Sequence, residues 1–233
     1  MLTIFITTYN EEIIIKFMID HYRLNFPNCN IILRDNQSTD KTVEIALQNN
    51  CEVISYDTGG EIDDFFLRDL KNNCWKNAKT DFVLVCDPDE LLMINESQLK
   101  QEELAGATII NTQGYDMVNM EDNFDLPNIK YGSADNNYSK SILFNKKFIK
   151  EINYECGAHK SNPVGSVKLS HNIYDLYHYK FINQEYLIDR FKLTKKRLSK
   201  KNIQYGMGAY NSLPENEIKN MFKYRRENAK KIF

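Results

Sequence analysis

Asp87-Pro88-Asp89-Glu90 puts three carboxylates within four positions, directly after the apolar run Phe82-Val83-Leu84-Val85-Cys86. An unbroken run of this kind reads as a strand buried on both faces, as in a parallel sheet. Open α/β sheets bind ligands in the crevice beyond the carboxyl ends of their strands. Carboxylates crowded at such an end repel one another unless a cation sits among them. Mg2+ and Mn2+ take oxygen ligands and often bridge to a substrate phosphate, so the tetrapeptide points to a metal–phosphate site. Acidic turns after strands are common, so the surrounding elements must supply the context.

Those elements alternate. Leu2 to Thr8 reads as a strand, and Asn10 can cap a helix starting at Glu11-Glu12 with Ile14, Phe17 and Met18 on one face. Asn30 to Leu33 is a second strand, followed by the polar turn Asp35 to Asp40, in which Ser38 is placed to cap a helix through Val43 and Leu47. Cys51 to Ser55 is a third strand with Thr58-Gly59-Gly60 as its loop. A helix carrying Ile62, Phe65, Phe66, Leu70 and Trp75 leads to the strand that delivers Asp87. This spacing predicts a right-handed parallel sheet whose strand ends share one edge. Further on, Ala107 to Thr112 and Ser141 to Phe144 read as strands around a loop-rich segment from Gly114 to Lys140. A late aromatic strand ends at Leu176-Tyr177-His178-Tyr179-Lys180. Two helices close the chain, one over about Gln184 to Lys201. The other follows Ser212-Leu213-Pro214-Glu215, which has capping-box spacing.

The start Thr7-Thr8-Tyr9-Asn10-Glu11, the turn Asp35-Asn36-x-Ser38-x-Asp40 and the strand end Asp87-x-Asp89 resemble the nucleotide-sugar half of GT-A-fold glycosyltransferases. The likeness is nearest to family 2 and its small bacterial and large-DNA-virus members, among them the N-terminal domain of chlorovirus capsid-glycan enzymes. Gly114-Tyr115-x-Met117, Tyr138-Ser139-Lys140, Gly157-x-His159-Lys160 and His178-Tyr179-Lys180 extend it to about residue 205. The resemblance implies one GT-A domain over residues 1–233, α/β with a Rossmann-like, mostly parallel central sheet flanked by helices. A nucleotide-sugar half (1–92) would precede an acceptor-side half (93–182) and C-terminal helices (183–233).

It also implies roles. Thr8, Tyr9 and Glu11 would line the base and ribose of a UDP-sugar, and Asp35 would accept from a uracil N–H. Asp89 would ligate Mn2+ or Mg2+, with Asp87 on the ribose or a metal-bound water. His178 would be a third ligand, and Lys180 a point charge on the diphosphate. His159-Lys160 is the rival pair for the diphosphate or the acceptor. Arg68 matches a basic position near the phosphates, and Gly59-Gly60 would let the backbone approach the ligand. An inverting transfer needs a general base for the acceptor hydroxyl. Among Asp116, Glu121, Asp122 and Asp125, the Glu121-Asp122 pair most resembles the family's.

Composition bounds the alternatives. A net charge of -2 gives no field that recruits nucleic acid. No apolar run approaches the roughly 20 residues of a bilayer span, and the apolar N-terminus is too short for a signal h-region. Five cysteines, none spaced C-x-x-C, suit reduced thiols in a cytosol. The basic stretch Lys192 to Lys201 could touch an anionic membrane, but a solvated helix face is the expectation. The lack of a glycine-rich basic loop after the first strand disfavours a sugar-1-phosphate nucleotidyltransferase, and a haloacid-dehalogenase-type phosphatase would carry its D-x-D on its first strand. A non-catalytic glycan-binding module on the same scaffold is the rival from another class.

Overall fold

The computed structural model describes residues 1–233. Its first half is built on β1 (Leu2–Thr8), α1 (Ile15–Asn25), β2 (Asn30–Asp35), α2 (Thr42–Gln48), β3 (Glu52–Ser55), α3 (Asp64–Asn73) and β4 (Phe82–Cys86). β1 pairs in parallel with both β2 and β4, and β2 with β3, so the order is β4-β1-β2-β3. All five residues of β4 are buried, as a strand covered on both faces requires. α1 covers one face with Ile15, Met18, Ile19 and Tyr22, at the three- and four-residue spacing of a helical stripe. The four parallel strands end along one edge, where the resemblance expected a ligand.

Beyond β4 the sheet turns mixed. β5 (Glu90–Leu92), α4 (Glu96–Leu104), β6 (Ile109–Val118), β7 (Tyr131–Ala134), β8 (Leu143–Asn145), the small hairpin of β9 (Ile149–Glu151) and β10 (Val164–Gly165), and β11 (Leu169–Phe181) follow in turn. β8 is antiparallel to both β4 and β6, which joins the two halves into one ten-stranded sheet. β11 runs parallel to β6 and antiparallel to β5. The chain closes with α5 (Gln184–Arg197), α6 (Lys200–Gln204), α7 (Glu215–Asn228) and the edge strand β12 (Lys230–Lys231). Phe181, Leu187, Ile188, Phe191, Ile218 and Phe222 pack α5 and α7 onto the end of β11.

Several boundaries differ from the sequence reading, each for a local reason. Asn10 does not cap α1: it sits at φ 52 and its side-chain oxygen accepts from the Thr39 amide at 2.7 Å. Ser38 is likewise withdrawn from α2, because its amide and hydroxyl both donate to Asp35. The segment expected to be loop from Gly114 holds the end of β6 and all of β7. The helix expected to run to Lys201 breaks at Leu198, which pairs with Ile62 as an isolated bridge. Ser212 forms no capping box, since it lies in a 3-10 turn before Pro214, and Glu215 instead pairs with Lys192 and Lys219. No helix is long and apolar enough to cross a membrane.

Candidate functional site

A cleft of about 330 Å³ opens at the carboxyl edge of β1 and β4, walled on the other side by β11 and α5. Strand register assembles its floor. In the antiparallel β5–β11 pair His178 lies opposite Glu90, and in the parallel β6–β11 pair it lies opposite Asp116. Partners across a ladder point to the same face, so these two registers settle what His178 can touch. Its Nδ1 is 2.7 Å from Asp116 Oδ1, and its Nε2 is 3.2 Å from Asp89 Oδ2. Arg225 of α7 reaches the other Asp116 oxygen at 3.1 Å. The Tyr138 ring stacks on the imidazole with centroids 3.8 Å apart. Burial alone would lower the His178 pKa, but Asp89 and Asp116 outweigh it and raise it to about 9. Burial would raise Asp89, yet the imidazolium holds its carboxyl below the usual range.

Asp87 is held differently. Both its oxygens accept from Lys71 Nζ at 2.7 Å, and Oδ1 also accepts from the Thr7 hydroxyl at 2.7 Å. Burial of this pair works against both charges, but their mutual attraction wins: the Lys71 pKa is raised and the Asp87 pKa lowered. Glu90 turns inward, accepts from the Asp87 amide at 3.1 Å, and pairs with Lys140 in full burial. Lys140 also donates to the Gly157 carbonyl at 3.3 Å. At the other end Glu11 pairs with Arg190 Nη2 at 2.5 Å, and Arg190 donates to the carbonyls of Tyr9 and Asn10. Burial, reinforced by Asp89 and Asp87, pushes Glu11 up to about 8 against the pull of Arg190.

Of the residues singled out from sequence, Thr8, Tyr9, Glu11, Asp87, Asp89, His159, His178 and Lys180 line this cleft. Tyr9 lies under the Arg197 guanidinium, 3.1 Å from its ring centroid. Lys180 sits 5.3 Å from the Tyr210 centroid, and burial lowers its pKa. The others lie outside. Asp35 is 1% exposed, and its carboxylate accepts from the Ser38 amide and hydroxyl and from the Thr8 hydroxyl. Arg68 pairs with its neighbour Asp69 on the face of α3. Lys160 is exposed away from the cleft lining. Gly60 also lies outside the lining; Gly59 and Gly60 have φ of +65 and +78, and a Cβ on either would meet nothing within 4 Å. Both conformations are ones that glycine adopts without steric cost. Glu121 and Asp122 follow β6 in an exposed loop, where Asp122 pairs with Arg226 at 2.7 Å. Neither is among the residues that line the cleft.

Lys71, Arg190 and Arg197 were missed. Lys71 interrupts the apolar face of α3 between Leu67, Leu70 and Trp75, and Arg190 interrupts that of α5 between Leu187 and Phe191. A cation on an otherwise apolar helical stripe was the available signal for both.

The sequence profile of glycosyl transferase family 2 matches residues 3–164. The chain belongs to that family. Its α/β architecture is the GT-A arrangement that the motifs led us to expect. Among solved structures, residues 1–349 of S. aureus TarS align over 95% of this chain and 69% of that one, with 14% identity and a TM-score of 0.47. Full TarS aligns at 15% identity and a TM-score of 0.47, and the chain spans 43% of its length. Glucosyl-3-phosphoglycerate synthase from Mycobacterium tuberculosis, solved with Mn2+, UDP and glucosyl-3-phosphoglycerate, aligns over 48% of this chain and 43% of that one, with 17% identity and a TM-score of 0.34. No curated protein matches.

Proposed function

We propose that the cleft binds a nucleotide-sugar donor, a UDP-sugar, together with Mn2+ or Mg2+, and transfers the sugar to a hydroxyl of a glycan or glycoconjugate. The observation that carries this reading is the chain Asp89–His178–Asp116, set by strand register at the carboxyl edge of a family 2 fold.

The donor set suits a hard divalent ion that the substrate completes. No cluster of three or more His, Cys, Asp or Glu side chains is disposed to hold an ion by protein alone. Asp89 and His178 offer one carboxylate and one imidazole nitrogen side by side, leaving the remaining positions to phosphate oxygens and water, as is usual for Mg2+-type sites. Asp116 accepts a hydrogen bond from the Nδ1–H of His178, so the proton that the metal-free imidazolium carries on Nε2 would be displaced on binding, leaving that nitrogen to the ion; metal-binding histidines are ordinarily oriented this way. When bound, the ion supplies Lewis-acid neutralisation of the departing diphosphate.

The chain's own side chains do the rest. Asp87, immobilised by Lys71 and Thr7, presents a fixed acceptor for a ribose hydroxyl or an ion-bound water. Lys180 offers an ammonium to the diphosphate from the β11 wall. Tyr9, with Thr8 and Glu11 beside it, forms the surface for base and ribose. Donors pre-set in the cleft would stabilise charge developing at the leaving group without reorganising.

A thermal-shift screen of UDP-sugars with and without Mn2+ tests the reading. A ligand present at about 100 times its Kd adds about 2.7 kcal/mol of apparent stability. The melting temperature should rise with a UDP-sugar and Mn2+ together and much less with either alone. A flat response to every nucleotide sugar overturns the assignment.

A further inference from the structure

A hydroxyl that attacks an anomeric carbon must shed its proton, and the cleft's carboxylates are already committed. Arg190 holds Glu11 at 2.5 Å, Lys71 holds Asp87 at 2.7 Å, His178 holds Asp89 at 3.2 Å, and Lys140 holds Glu90. A carboxylate whose charge is held by an adjacent cation is a poor base, and Glu11, pushed up to about 8 mainly by burial, keeps its own proton at neutral pH. Asp116 is closed off between His178 and Arg225, and Glu121 and Asp122 lie outside.

His159 is placed differently. It lines the cleft yet stays exposed. Its Nδ1 lies 2.9 Å from the backbone carbonyl of Asn137. A carbonyl oxygen only accepts, so the ring's Nδ1 carries the proton and the neutral ring's Nε2 keeps a free lone pair. Two contacts seat the ring. The Tyr138 ring, already stacked on His178, meets His159 edge-on with centroids 5.3 Å apart. Gly157, at φ +76, lies beneath it; a Cβ there would stand 2.8 Å from His159 Cδ2 and 3.1 Å from Nε2. Only glycine both adopts that backbone and leaves room for the ring. Partial burial and the Lys140 ammonium hold the imidazole pKa below its ordinary value, while the hydrogen bond to the Asn137 carbonyl, and then Glu90 and Asp87, pull more weakly the other way.

We propose that His159 Nε2 is the general base that takes the proton from the acceptor hydroxyl, an assignment that rests on the glycosyl-transfer reading above. As the O–H bond breaks toward Nε2, the acceptor oxygen forms its bond to the anomeric carbon. The bond from that carbon to the diphosphate breaks, and UDP leaves with the electron pair. The imidazolium then returns its proton to solvent. A single displacement of this kind inverts the anomeric centre.

The test measures UDP release from UDP-glucose, UDP-galactose and UDP-N-acetylglucosamine with Mn2+, using water and methyl glycosides as acceptors. His159→Ala should lower kcat by roughly 100-fold or more, the usual worth of a positioned base. The donor KM and the UDP-induced thermal shift should stay as in the wild type. Added imidazole should restore the rate in proportion to its neutral fraction. A variant that keeps its kcat, or one that loses it without imidazole rescue, overturns the proposal. The tautomer is read independently of turnover by 15N shift correlation on the full chain: the proton is expected on Nδ1, and finding it on Nε2 overturns the proposal. If the wild type neither releases UDP nor shifts with any donor, the glycosyl-transfer reading itself has failed.

Discussion

Glu90 and Lys140 form an ion pair with side chains only 2% and 3% exposed, and Lys140→Ala would strand the carboxylate. Removing one partner of a buried pair leaves an uncompensated charge and costs about 3–5 kcal/mol. The loss here falls toward the upper end, because Lys140 also donates to the Gly157 carbonyl, and Glu90 would be left with the Asp87 amide as its one remaining partner. In a chain of this size each kcal/mol moves Tm by about 2–4 °C, so a fall of roughly 10 °C or more is expected. The pair's net worth is a separate quantity, since replacing both charges by groups of similar volume is often neutral. Glu90→Gln with Lys140→Met keeps the acceptor for the Asp87 amide and removes both charges, and should recover most of the loss. Calorimetric melting of the wild type, both single variants and the double variant closes the cycle. If Lys140→Ala melted within about 2 °C of the wild type, or the double variant were no better than the single ones, the description of this pair as a dry, mutually dependent tie would be wrong.

Glu11, with its pKa pushed up to about 8, binds a proton more tightly folded than unfolded. Its contribution to stability is therefore complete below the ordinary glutamate pKa and lost as pH rises through about 8. Glu11→Gln should flatten the decline in Tm between about pH 5 and pH 8; an unchanged slope would assign the titration elsewhere. Arg197 is buried with no carboxylate partner and an unpaired Nη2, so Arg197→Met should leave Tm equal or higher while weakening UDP binding about tenfold, read by calorimetry. Equal UDP affinity in that variant would remove Arg197 from the donor site. Asp89→Ala should abolish Mn2+-dependent UDP release and lower Tm only modestly, since the buried His178 keeps Asp116 as its partner; retained metal-dependent turnover would move the ion elsewhere.

Strong local signals carried the parallel half of the fold. β4 is five apolar residues in a row, and Asp87 and Asp89 follow it where a strand end must be. His178 was legible as a late-strand histidine. Its partner Asp116 was visible only as one of several acids, because the contact depends on β6 and β11 pairing in parallel across 62 positions of sequence. Asp35 was legible as a strand-end carboxylate, but its partners were not. A carboxylate at a strand end looks available in sequence, but Ser38, three residues on, closes a turn over it. Glu121-Asp122 was singled out by likeness to a motif, and where that pair lies in space depends on how β6 and α7 pack, which the local sequence does not carry. Lys71 and Arg190 were hidden within helical stripes that are otherwise apolar, while Arg197 read as one more charge in the basic stretch Lys192 to Lys201.

A crystal of the full chain soaked with Mn2+ and UDP, measured at the manganese absorption edge, addresses the donor site most directly. We expect one anomalous peak bounded by the Asp89 carboxylate, His178 Nε2 and the UDP diphosphate. A peak remote from those two side chains, or UDP bound with its diphosphate away from them, would contradict it.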